Sequence, residues 1–125
     1  MQQTKHKLES DLSNFNCTEN YFLQPSLGYL YTDGVRYLAE QCEAYWLLDA
    51  IWSYQKTKLF LKDEALKSMQ FWKLKVDLEK CKGVLICERD EGDIVITQKL
   101  DYTDFPLKEI QIYVQNNTLL LPSEY

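Results

Sequence analysis

Residues 70–79 read Gln-Phe-Trp-Lys-Leu-Lys-Val-Asp-Leu-Glu. Trp72, Leu74, Val76 and Leu78 alternate with Lys73, Lys75, Asp77 and Glu79. Successive side chains on an extended backbone point to opposite faces, so a period of two predicts a strand with one buried and one wet face. Downstream of this stretch the chain keeps to strands. Lys82-Gly83 offers a turn, and Val84-Leu85-Ile86-Cys87 is apolar on both faces, as a strand inside a sheet would be. Asp90-Glu91-Gly92-Asp93 reads as a hairpin tip, because Gly92 can take a positive φ. Residues 94–100 return as a third strand, and Ile110, Ile112 and Val114 mark a fourth. Asn116-Asn117 makes a turn into a fifth, 118–121, closed by Pro122. If that last strand lies at an edge, its free backbone groups invite a second copy, which makes a homodimer possible.

Upstream of residue 70 the period is helical. Leu8, Leu12 and Phe15 fall on one face of a short amphipathic helix. Residues 17–30 read as an irregular connector punctuated by Pro25 and Gly28. Thr32-Asp33-Gly34 then opens a helix, with Thr32 or Asp33 able to accept from the free N–H groups of its first turn. Residues 35–55 contain no Gly or Pro, and Leu38, Cys42, Tyr45, Leu48 and Trp52 keep helical spacing. Glu40 and Glu43 leave a kink or a split into two helices open. Residues 56–66 have room for a short helical turn. Helices first and strands after, without alternation, predict an α+β fold: N-terminal helices packed on one face of a four- to five-stranded antiparallel sheet. The expected organisation is a single domain over residues 1–125.

Composition then removes several functions. The 125 residues are 46% apolar and carry a net charge of −5. Residues 1–87 hold 11 basic and 11 acidic side chains, whereas 88–125 hold 3 and 8, so the whole excess lies in the last third. A basic footprint for nucleic acid is missing at chain level. Four scattered glycines cannot build a phosphate-cradling loop, and a lone histidine, His6, argues against the usual imidazole-centred catalysis. The four cysteines, Cys17, Cys42, Cys81 and Cys87, lack a Cys-x-x-Cys pair, and the first residues lack the apolar stretch of a secretory signal. The expectation is free thiols in a cytoplasmic protein, with no metal site, no cofactor and no membrane span.

Two sets of carboxylates remain as candidates. Asp90, Glu91 and Asp93 lie in one connecting segment, and Asp101 and Asp104 in the next, an acidic surface for a basic partner. Segments that follow consecutive strands of a meander fall at opposite ends of the sheet. Asp49 stands alone among apolar residues in Tyr-Trp-Leu-Leu-Asp-Ala-Ile-Trp (45–52). As a candidate buried polar group it needs exposure, pairing or a hydrogen bond from a Tyr or Trp.

Six stretches carry a resemblance: 15–21 (FNCTENY), 30–39 (LYTDGVRYLA), 44–51 (AYWLLDAI), 71–76 (FWKLKV), 103–107 (TDFPL) and 121–125 (LPSEY). In that order the chain resembles a family of small bacterial and phage proteins catalogued as a domain of unknown function. Many members carry Tyr-Arg-His after the Glu-Asn-Tyr segment, where this chain reads Tyr21-Phe22-Leu23. The resemblance implies a compact domain of phage or plasmid type and no reaction. Three functions stand as expectations. The first is a non-catalytic module that binds another protein. The alternatives are an acidic-surface inhibitor of a nucleic-acid-handling enzyme and a small enzyme built on carboxylates such as Asp49.

Overall fold

A computed structural model describes residues 5–13, 20–25 and 27–125, with the side chains of 5, 6 and 13 outside that description. Phe15, Cys17 and the first five residues of the 15–21 stretch therefore lie outside the described residues, as does the His6 side chain. The elements are α1 (Lys5–Ser13), β1 (Tyr21–Leu23), β2 (Leu30–Thr32), α2 (Asp33–Gln41), α3 (Tyr45–Ser53), α4 (Lys58–Lys62), α5 (Glu64–Ser68), β3 (Gln70–Asp77), β4 (Lys82–Glu88), β5 (Ile94–Leu100), β6 (Glu109–Gln115) and β7 (Thr118–Leu120). A 3-10 turn, Pro122–Glu124, ends the chain.

The class is α+β, with helices packed against a sheet. The sheet is larger than the sequence suggests and is not purely antiparallel. Among the described residues it has seven strands, in the order β1-β2-β7-β6-β3-β4-β5. Strand β2 runs parallel to β7, with Tyr31 beside Leu119, and every other pairing is antiparallel. The two extra strands come from the segment that reads as an irregular connector and from its junction with the helix that follows. Each is three residues long, too short for a period to show, and β2 finds its partner almost ninety residues away. Strand β7, in turn, is not the edge that pairing with a second copy would require: it lies between β2 and β6. It is paired on both sides, and among the described residues the outermost strands are β1 and β5.

The helical run divides where two glutamates allowed it. Helix α2 begins on Thr32, whose Oγ1 accepts from the Val35 N–H at 3.3 Å, with Asp33 at the positive end of the dipole. It stops because Glu43 turns left-handed at φ 51° and the Ala44 N–H returns to the Ala39 carbonyl at 2.8 Å. This closure buries Cys42 and Ala44 and leaves Glu43 in water. Residues 58–68 form two short helices that share Asp63, which ends α4 and caps α5 by accepting from the Leu66 N–H at 3.1 Å.

Strand β3 behaves as its alternation predicts. Gln70, Trp72 and Leu74 are buried beneath the helices, together with Leu85 and Cys87 of β4 and Ile112 and Val114 of β6. Val35, Leu38, Leu47, Leu48, Ile51, Phe60 and Leu66 cover them from the helical layer. Trp72 is 1% exposed, stacked on Phe60 with ring centroids 6.0 Å apart, and its Nε1 donates to Gln70 Oε1 at 2.8 Å. Two turns match their residues: Gly92 has φ 81°, and Asn116 and Asn117 have φ 52° and 59°, the left-handed pair of a tight hairpin. Lys82-Gly83, by contrast, lies within β4, and the chain turns before it, with Cys81 at φ 54°.

The C-terminal turn locks onto the start of α2. Glu124 Oε1 accepts from Thr32 Oγ1 at 2.6 Å and from the Leu121 N–H at 3.0 Å, and Oε2 from the Gly34 N–H at 3.2 Å. A Cβ on residue 34 would stand 2.6 Å from Glu124 Oε1, so only glycine admits the carboxylate there. The 30–39 and 121–125 stretches thus interlock.

Candidate functional site

The odd-numbered residues of β3 face away from the helices. Register sets Phe71 between Tyr113 of β6 and Glu88 of β4, and Lys73 between Gln111 and Ile86. Among the described residues, the helices contribute to the other face, and what reaches this one is the C-terminal turn. The Glu124 lock holds that turn so that the Tyr125 ring meets Tyr113 edge-on at 5.8 Å, and Tyr113 meets Phe71 edge-on at 5.0 Å. Beside Tyr113, Leu120 is buried apart from the main core. Three aromatic rings therefore line up across an open sheet face, two half-buried and Tyr125 71% exposed.

A cavity of about 350 Å³ opens beside them, lined by Phe71, Lys73, Glu88, Asp90, Glu91, Gln111 and Tyr113. Lys73 Nζ lies 3.4 Å from Glu88 Oε1 on its floor, both side chains largely buried. The other oxygen of Glu88 accepts from the Gly92 N–H at 2.7 Å, which ties the hairpin tip down over the cavity. Asp90 Oδ1 accepts from the Glu91 N–H at 2.8 Å, and both side chains stay exposed. One ammonium thus meets three carboxylates, and the cavity is acidic.

The structure sorts the five acidic candidates. Asp90 and Glu91 border the cavity. Asp93 turns the other way: Arg89 Nη2 lies 3.2 Å from Asp63 Oδ2 at the α4–α5 junction, and its Nε is 3.6 Å from Asp93 Oδ2. Asp101 and Asp104 are exposed at the opposite end of the sheet, where the Thr103 N–H donates to the Cys81 carbonyl of the β3–β4 turn at 2.8 Å. The five do not form one patch. Asp49, the candidate buried polar group, is exposed on α3, and its Oδ1 accepts from the buried Tyr29 hydroxyl at 2.9 Å. Burial first, and that carboxylate second, push the Tyr29 phenol well above its usual range. Trp52 Nε1 donates to the Leu27 carbonyl at 3.2 Å, so Asp49 and Trp52 together moor Leu27 and Tyr29 to α3.

Sequence reasoning missed Phe71, Lys73, Glu88, Gln111, Tyr113 and Tyr125. One signal was available: Phe71 is an aromatic in the wet phase of the β3 alternation. Among the described residues no three or more His, Cys, Asp or Glu side chains gather to hold a metal ion. Cys42, Cys81 and Cys87 are free thiols, and burial pushes Cys42 and Cys87 up to about 12, so neither is a ready nucleophile. No described helix is long and apolar enough to cross a membrane.

Comparison with known proteins places the chain. The model of a family of unknown function (DUF6876) matches residues 6–125, and the chain belongs to that family. No curated protein and no solved structure matches it.

Proposed function

We propose that this member of the family is a non-catalytic protein-binding module, and that its open sheet face receives a partner segment bearing Arg or Lys beside an apolar residue. The row of Phe71, Tyr113 and Tyr125 along an acidic cavity carries the reading. Aromatic rings attract guanidinium and ammonium groups over their faces, and Glu88, Asp90 and Glu91 supply the matching charge. Aromatic side chains are also the usual anchors of protein interfaces. The inhibitor alternative draws less support, because the two acidic segments occupy opposite ends of the sheet. The enzyme alternative draws least, since Asp49 pairs with a tyrosine and has no second carboxylate on the same hydrogen bond. The resemblance implies a phage- or plasmid-type setting, so genome neighbours are the first place to seek the partner.

A displayed library of random short peptides tests this. Binders should pair Arg or Lys with an apolar residue, lose affinity as salt rises, and weaken roughly tenfold or more on Asp90→Lys with Glu91→Lys. Phe71→Ala should weaken them comparably. Binders indifferent to all three changes, or no binders at all, would remove the reading.

A further inference from the structure

On the helical side, the C-terminal end of α3, the α4–α5 pair and the β6–β7 turn enclose a second cleft of about 360 Å³. Its apolar surface comes from Leu27, Trp52 and Leu61, lying over the buried Phe60, Leu66 and Val114, and Asn116 and Asn117 of the β6–β7 turn complete the wall. Its polar floor is built. The side-chain amides of Gln55 and Gln70 bond to each other reciprocally at 2.8 and 2.6 Å. Gln70, 4% exposed, also donates to the Leu66 carbonyl at 3.0 Å, while Gln55 donates to the Ile51 carbonyl at 3.2 Å. Both amides are held in place before any ligand arrives.

The charge of this cleft runs against that of the chain. Lys56 and Lys67 stand at its rim, and among the described residues no carboxylate lines it, although the protein carries a net −5. Lys67 pairs with Glu64, which lies outside the lining, at 3.2 Å. Lys56 has no ion-pair partner among the described residues. Exposed apolar side chains beside ammonium groups, with no described carboxylate between them, suit a molecule with a hydrocarbon body and one anionic end. The cavity has the size of small-ligand sites.

We infer that this cleft is a binding site for a medium-chain alkyl carboxylate, its chain against Leu27, Trp52 and Leu61 and its carboxylate beside Lys56. It is independent of the sheet-face reading. The test titrates decanoate into the whole protein, below the concentration at which decanoate forms micelles, and reads Trp fluorescence and binding heat. Saturable one-site binding is expected, with decylamine failing to compete. Lys56→Glu and Leu61→Asp change side chains at the cleft rim, so the fold should survive, and each should weaken decanoate about tenfold. Asp90→Lys with Glu91→Lys should leave decanoate binding unchanged. No saturable binding would overturn the inference. So would equal binding of decylamine, or unchanged affinity in both cleft variants with native circular dichroism.

Discussion

Phe71 and Trp72 are neighbours in β3, and both are aromatic, yet the sheet gives them opposite environments. Trp72 is enclosed by Phe60 and Tyr54, with its one polar atom satisfied by Gln70. Phe71 is half-exposed, touches Tyr113 edge-on, and borders a cavity with carboxylates on its rim. Burial on the helical face is repaid within the fold. Aromatic surface left on the open face gains nothing there until something covers it. The pleat alone separates a residue that holds the domain together from one available for recognition.

Of the two, the buried ring should show the greater loss. Trp72→Ala should destabilise the protein by about 3–5 kcal/mol in denaturant melts, since it empties a packed site and strips Gln70 of a donor. A loss under about 1 kcal/mol would mean that the helical layer does not close on β3.

Next in size is a pH effect confined to the buried side. Cys42 and Cys87 are pushed up to about 12 from an ordinary value of 9.0. The native state therefore keeps protons that the unfolded chain releases, and stability present below about pH 9 is lost as pH rises toward 12. The two thiols together should cost about 2–3 kcal/mol at about pH 10. Melts at about pH 7 and pH 10 measure it, and Cys42→Ala with Cys87→Ala should flatten the dependence. An unflattened curve would assign the loss to Tyr29 and Tyr45, whose phenols burial also raises.

The C-terminal lock ranks third. Glu124→Ala leaves the Gly34 N–H and Thr32 hydroxyl without this acceptor and should cost about 2 kcal/mol. It should also free Tyr125 from Tyr113, read as a change in Tyr125 ring shifts by NMR. Glu124→Gln should recover part of the stability. Smallest in stability is Phe71→Ala, at about 1 kcal/mol, while its expected effect on peptide binding is tenfold or more. Equal stability losses at 71 and 72 would erase the distinction between the faces.

Much of this layout is legible in the residues. Strict alternation over 72–79 marks β3, and Gly92 and Asn116-Asn117 place the hairpins around β4 to β7. The break between α2 and α3 was legible as an option only, because Glu43 takes a left-handed turn that its side chain does not favour. Strands β1 and β2 were not legible: a three-residue strand has no period, and β2 exists by pairing with a strand at the far end of the chain. The site divides along the same line. Exposed acids at a hairpin tip are visible as composition, but Arg89 withdraws Asp93 from them through a contact with Asp63. Phe71, Tyr113 and Tyr125 meet only through register and the Glu124 lock, both non-local.

The most direct measurement places a photocrosslinking amino acid at Gln111, on the open face, or at Lys58, exposed on α4, in the native host. Position 111 should capture one discrete protein, position 58 should not, and the adduct should vanish when Asp90→Lys and Glu91→Lys are added. Capture at position 58 alone, or at both positions regardless of those two reversals, would contradict the assignment of recognition to the open face.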